Sequence, residues 1–307
     1  MNIVYLDAAS VASANLSPIS NLGQLQTYPQ STPEEALVRI KEAHVIITNK
    51  VKIGTAELSA APNLKLVIAA ATGMDHIDKE ACEARGVKTD NVRSYSTESV
   101  AQWTLTAVLT LLMRPNVRDV YCKSGEYAES GNWTLPTPSW SELKGKRWSI
   151  IGYGTIGRRV QILAEAFGCE VVFFSPSGNR SSGIEQLSLE ELLSTSDFVS
   201  IHAPGVPRYL DLLNRKTLAL LKSSALLLSV GRGGIVDEHV VAKMLDNGSL
   251  AGAAFDVYTE EPFAKDHPFL SMSSPERLLL TPHMAWTSQE ALQALVAGLA
   301  DGVRKVK

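Results

Sequence analysis

The chain has 307 residues, of which 45% are hydrophobic and 20% charged, and a formal net charge of -3. That length suits two domains of ordinary size, and the composition excludes an intrinsically disordered protein. Near-neutral charge with no concentration of Lys or Arg argues against a nucleic-acid partner or an anionic membrane surface.

The first residues, Met1 to Asp7, read as a short buried strand, with neither the basic region nor the apolar run of a signal peptide. Strands are expected near 3–6, 45–48 and 66–69, and helices near 33–43 and 78–85. Pro33 followed by Glu34 and Glu35 is a good helix start, because Pro fits the first turn and acids suit the positive end of the dipole. A long helix is expected from 96 to 113, ending before Pro115. Its apolar part carries Gln102 and several Thr residues and is too short to span a bilayer. From 114 to 146 the periodicity fails, and the stretch holds Gly125, Gly131, Pro136 and Pro138 beside Tyr121, Tyr127, Trp133 and Trp140. A long irregular segment rich in aromatics is expected to be functional, and it reads as an arm that wraps a partner subunit in a homodimer.

Alternation resumes at Arg147. Strands are expected near 148–152, 171–174, 198–202, 225–230, 252–257 and 278–282, with helices between them and a last helix over 288–303. Apolar runs alternating with amphipathic segments predict an α/β fold of two successive βα domains with parallel sheets, and a cleft between them. There is no internal repeat and no low-complexity segment. Cys82, Cys122 and Cys169 lie far apart without metal-type spacing, so they read as thiols in a reducing, cytoplasmic compartment, and no metal site is expected.

The apolar run ending in Ile151 leads into Gly152-Tyr153-Gly154-Thr155-Ile156-Gly157 and then into a helical pattern. A G-x-G-x-x-G alone is weak, but between a strand and a helix it is the context that binds a dinucleotide. Gly152 would allow the tight turn, Gly154 the close approach of backbone to pyrophosphate, and Gly157 the contact of helix with strand. The phosphates would sit on N–H groups at the helix start, around Thr155 and Ile156. An NAD site usually ends its second strand with an acid that binds the ribose hydroxyls. Here that strand runs into Ser175-Pro176-Ser177-Gly178-Asn179-Arg180, with no acid. Ser175, Ser177 and Arg180 could receive the 2′-phosphate of NADP, so NADP is expected over NAD. The alternative is that Arg180 is a solvated loop residue and the site accepts either cofactor.

Three polar residues follow apolar strands, where open α/β folds gather ligands. Arg232 lies in Gly231-Arg232-Gly233, Glu261 in Thr259-Glu260-Glu261-Pro262, and His283 in Thr281-Pro282-His283-Met284-Ala285-Trp286. With the Gly-rich loop, Asp256-Val257, and Ala71-Thr72-Gly73-Met74-Asp75-His76-Ile77-Asp78, they give the chain a resemblance over nearly its full length. It resembles the D-isomer-specific 2-hydroxyacid dehydrogenases, and within them the glycerate dehydrogenases, also called hydroxypyruvate reductases.

The resemblance implies a flavodoxin-like substrate domain, residues 1–97 plus 288–307, and a doubly wound dinucleotide-binding domain, residues 98–287, which includes the arm. It implies reduction of a small 2-keto acid, hydroxypyruvate or glyoxylate, with His283 as general acid, Glu261 favouring its charged form and Arg232 pinning the substrate carboxylate. Val230, Gly231 and Asp256 would contact the cofactor. Thr72, Gly73 and Met74 would lend backbone N–H groups to the substrate, Trp286 would line its pocket, and Trp140 would reach a neighbouring subunit's pocket. Other readings stay open at single positions: Glu260 could replace Glu261, and Asp256 could simply cap its loop. At the level of function, the alternatives are another keto acid such as pyruvate, or a dinucleotide-sensing protein like the corepressors that share this fold. Asp75, His76 and Asp78 read as helix-start residues rather than metal ligands.

Overall fold

The computed structural model describes residues 1–11, 13–135, 139–175 and 183–306. The chain divides into two compact units, residues 1–97 with 286–307, and residues 98–285. Among the described residues no helix is long and apolar enough to cross a membrane.

The first unit runs through β1 (Asn2–Tyr5), α1 (Ser17–Ser20), β2 (Gln24–Thr27), α2 (Pro33–Arg39), β3 (Val45–Thr48), α3 (Thr55–Ala60), β4 (Leu66–Ala69), α4 (Lys79–Ala84) and β5 (Lys88–Asn91). Its five strands are parallel, in the order β2-β1-β3-β4-β5 of a flavodoxin-like sheet. The central strands read as unbroken apolar runs because both faces are covered. Ile3, Tyr5, Val45, Ile47 and Ile68 turn to one face, while Val4, Leu6, Ile46, Val67 and Ala69 turn to the other. α2 begins at Thr32, whose side chain accepts from the Glu35 N–H while Glu35 answers with the Thr32 N–H. Asp78 caps α4 through the Ala81 N–H, which is what its position in the sequence suggests.

The second unit opens with α5 (Thr97–Met113), α6 (Pro115–Lys123) and α7 (Glu126–Glu129). It continues with β6 (Arg147–Ile151), α8 (Thr155–Ala166), β7 (Glu170–Phe174), β8 (Glu185–Gln186), α9 (Leu189–Thr195), β9 (Phe198–Ile201), α10 (Arg215–Leu218), β10 (Leu226–Ser229), α11 (Glu238–Asp246), β11 (Gly252–Phe255) and β12 (Leu278–Leu280). The final helix, α12 (Gln289–Arg304), belongs to the first unit, where Leu295 and Leu299 pack with Ile3 and Ile68. The seven strands run β12-β11-β10-β9-β6-β7-β8, a doubly wound parallel sheet whose direction of growth reverses between β6 and β9. Trp148 of β6 is 1% exposed, and its indole N–H donates to Ser200 Oγ of β9 at 2.9 Å. That bond removes the penalty of burying the ring's one polar atom.

The segment expected to be irregular is in part helical. Pro115 starts α6 directly after a left-handed Arg114, and α7 follows at once. Neither helix has a buried residue. Val117, Val120 and Trp133 are instead exposed.

Candidate active site

The Gly-rich loop sits at the carboxyl end of β6, beside the reversal of the sheet. Gly152 has φ of 91°, and a Cβ there would lie 2.6 Å from the Ala203 nitrogen, so only glycine fits between the ends of β6 and β9. A Cβ at Gly157 would lie 2.8 Å from the Gly152 carbonyl oxygen, which fixes how closely α8 meets β6. Gly154, the cap residue of α8, differs from both, because a Cβ there would meet nothing within 4 Å. No side chain caps α8, whereas Asp78, Ser188, Asp237 and Ser288 cap α4, α9, α11 and α12. The helix start around Thr155 and Ile156 thus keeps its N–H groups toward open space, the donor set that a pyrophosphate requires. These residues fit a dinucleotide.

The rest of the predicted cofactor contacts fall around this loop unevenly. Val230 follows β10 and donates its N–H to Ile201 O at 3.3 Å, and Gly231 presses on Ala203, where a Cβ would lie 2.5 Å from the carbonyl oxygen. Ser175 closes β7, is buried, and accepts from Gln186 Nε2 through its carbonyl at 3.2 Å. Ser177 and Arg180 lie outside the described residues.

Arg232, Glu261 and His283 come from the carboxyl ends of three adjacent parallel strands, β10, β11 and β12. Glu261 and His283 meet: Glu261 Oε2 lies 2.7 Å from His283 Nδ1, and Glu261 Oε1 accepts the Tyr258 N–H at 3.1 Å. The contact sets Nδ1, rather than Nε2, against the carboxylate. His283 has φ of 51°, a left-handed backbone that a non-glycine residue holds only when its surroundings impose it. Those surroundings are visible. Asp256, 1% exposed, accepts from Thr281 Oγ1 at 2.6 Å, from the Met284 N–H at 2.8 Å and from the Ala285 N–H at 2.9 Å. Ser99 of α5 then donates to Ala285 O at 2.6 Å. Burial pushes the Asp256 carboxyl above its ordinary value, opposed by those donors and by the charge of His283. Arg232 donates from Nη1 to its own neighbour, Gly231 O, at 2.9 Å. The next residue, Gly233, packs on the turn that carries Glu261, where a Cβ would lie 1.8 Å from Tyr258 O.

Sequence reading passed over two supports of this site. Tyr258 donates its hydroxyl to Thr281 O at 2.9 Å and sits near Phe255 O, tying the ends of β11 and β12 together. Thr281 is the hydroxyl that reaches Asp256. Their only signal is position, two residues from Asp256 and from His283. Of the remaining predicted substrate contacts, Thr72, Gly73 and Met74 follow β4 in the first unit, where Thr72 Oγ1 donates to Val92 O at 3.2 Å. Trp286 is in the same unit, edge-on to Tyr95 with ring centroids 6.1 Å apart. Trp140 belongs to the second unit and is 50% exposed.

A doubly wound sheet with an uncapped glycine-rich helix start, and a carboxylate–imidazole pair three and four strands along, defines a nicotinamide-dinucleotide-dependent oxidoreductase. The family profile "D-isomer specific 2-hydroxyacid dehydrogenase, NAD binding domain" matches residues 106–285. The chain is 32% identical over 304 residues to a glycerate dehydrogenase from Methylorubrum extorquens, covering 98% of this chain and 94% of that one. It is 35% identical over 276 residues to a glyoxylate reductase from Aeropyrum pernix, covering 85% of this chain and 79% of that one. Among solved structures, it is similar to a D-lactate dehydrogenase from Aquifex aeolicus complexed with NAD and lactic acid, with TM-score 0.85 and 25% identity over 99% of this chain and 94% of that one. The chain belongs to the D-isomer specific 2-hydroxyacid dehydrogenases.

Proposed function

We propose that this enzyme reduces hydroxypyruvate or glyoxylate to the corresponding 2-hydroxy acid, with His283 as proton donor and NADP as the preferred cofactor. The observation that carries this reading is the 2.7 Å contact of Glu261 with His283 on an imposed left-handed turn. A carboxylate at Nδ1 favours the protonated ring and fixes its aim, so the proton on Nε2 can pass to the carbonyl oxygen of the keto acid. When bound, the nicotinamide supplies the hydride to the carbonyl carbon. Arg232 would pair with the substrate carboxylate and orient the carbonyl before transfer.

The family resemblance supports further roles. Thr72, Gly73 and Met74 would give backbone N–H groups to the substrate, and Trp286 and Trp140 would bound it. Val230, Gly231 and Asp256 would face the cofactor, Asp256 also holding the His283 loop. The substrate class is supported by relatives named for glycerate and for glyoxylate. The NADP preference is supported by the absence of any acid from Phe174 through Arg180. A homodimer is supported by the exposed apolar residues of the 114–146 segment, among them Val117, Val120, Trp133 and Trp140. One panel tests the reading: steady-state oxidation of NADPH and NADH with hydroxypyruvate, glyoxylate and pyruvate. The expected result is the highest kcat/KM with NADPH and hydroxypyruvate or glyoxylate, and higher efficiency with pyruvate or with NADH would overturn it.

A further inference from the structure

A second carboxylate–imidazole pair lies close behind the first. Glu238 opens α11, and its side chain is 6% exposed, that of His267 11%. Glu238 Oε2 lies 2.7 Å from His267 Nε2. Glu238 Oε1 accepts from the Thr259 N–H at 2.7 Å and from Thr259 Oγ1 at 2.9 Å. His267 Nδ1 accepts the Phe269 N–H at 3.3 Å, so the ring proton sits on Nε2 and His267 is a donor to Glu238. This is the reverse of His283, whose Nδ1 faces its carboxylate.

A buried carboxylate is retained only where donors replace water, and Glu238 has three, at the positive end of a helix. Two of the three come from Thr259, an exposed residue two positions before Glu261 and directly after Tyr258, whose N–H holds Glu261 Oε1. The turn over 258–261 is therefore pinned from the α11 side at Thr259 and meets His283 on its other side at Glu261. The charged and titratable groups that act on this arrangement include Asp256 near His283, Tyr258 near Glu238, Glu261 and Asp256, and His239 stacked on His267.

We propose that Glu238 and His267 are positioning residues: acting through Thr259, they hold the turn that keeps Glu261 against His283. The inference rests on the proposed roles of Glu261 and His283 in proton transfer. Keto-acid reduction needs a protonated ring, so the alkaline limb of the kcat/KM profile reports loss of that proton. Displacing the carboxylate removes what favours the charged ring and moves the limb to lower pH. A residue that only stabilised the fold would lower the unfolding midpoint and leave the limb in place.

The test compares Glu238→Gln, Glu261→Gln, their double variant and Thr259→Val in the full-length enzyme, with steady-state reduction of the preferred keto acid across pH. Glu238→Gln is expected to lower kcat by about tenfold or more, with KM changed far less, and to shift the alkaline limb the same way as Glu261→Gln. The double variant is expected to be no worse than Glu261→Gln alone, because both act through one contact. His267→Gln, which can still donate to the carboxylate, is expected to retain more of kcat than His267→Leu. If Glu238→Gln fails to fold, Thr259→Val decides, since it removes one donor from an exposed position and should give the same shift on a smaller scale. A wild-type limb in Glu238→Gln or Thr259→Val beside a shifted one in Glu261→Gln, or losses that multiply in the double variant, would overturn the positioning role. An unmoved limb in Glu261→Gln would remove the assigned role of Glu261 itself, and the positioning role with it.

Discussion

The proton-donor role proposed for His283 needs its other nitrogen held and its backbone fixed. His283 has both, through Glu261 at Nδ1 and through the grip of Asp256 on the next two N–H groups. His283→Ala leaves the Gly-rich loop untouched, so cofactor binding measured by fluorescence titration should stay near wild type. Turnover should fall by about a hundredfold or more, the usual contribution of a general acid. Retained turnover would move the proton donor elsewhere. Arg232→Ala should behave differently, raising the KM for the keto acid as well as slowing turnover, because it removes binding present before and during hydride transfer. An unchanged KM in that variant would mean that the guanidinium does not hold the carboxylate.

The loops at the strand ends, more than the strands, decide what this fold does, and they were unequally legible. Arg232, Glu261 and His283 could be found because each follows an apolar run, at the strand end where open α/β folds gather ligands. β2, with the sequence Gln24-Leu25-Gln26-Thr27, and β5, with Lys88-Thr89-Asp90-Asn91, escaped notice because edge strands need no apolar run. α6 carries Val117, Val120 and Tyr121 at helical spacing, but Gly125, Gly131, Pro136 and Pro138 dominate the segment that holds it. Glu238 and His267 are 29 residues apart, and a polar residue at a helix start reads as an ordinary cap. The end of β7 allows a direct test of cofactor choice at this scale. Ser175 stands at the position after Phe174 where an acid would bind ribose hydroxyls and repel a 2′-phosphate. Ser175→Asp should therefore raise the ratio of kcat/KM with NADH to that with NADPH by about tenfold or more, because a carboxylate there repels the 2′-phosphate and accepts from the ribose hydroxyls. An unchanged ratio would take the determinant away from this strand end.

At the scale of the molecule, one buried group couples the second unit to pH. His202 follows β9 at the reversal of the sheet, and both its ring nitrogens are buried with no hydrogen-bond partner among the described residues. Burial pushes its pKa down to about 3, so the ring is neutral in the folded protein throughout the neutral range. In the unfolded chain an imidazole takes up its proton near its ordinary value of about 6.5. Below that pH the unfolded state binds one more proton than the folded state, so this contribution to stability is complete above about pH 6.5 and is lost as pH falls toward the folded value. The slope is about 1.4 kcal/mol for each pH unit, on the order of 2 kcal/mol between pH 6.5 and pH 5. His202→Leu keeps an apolar side chain in the same place and cannot titrate. Urea unfolding at pH 7 and pH 5, at one fixed protein concentration, should show the wild type losing more stability than the variant by about that amount. Equal losses in the two proteins would mean that His202 reaches water, or a partner, as readily when folded as when unfolded.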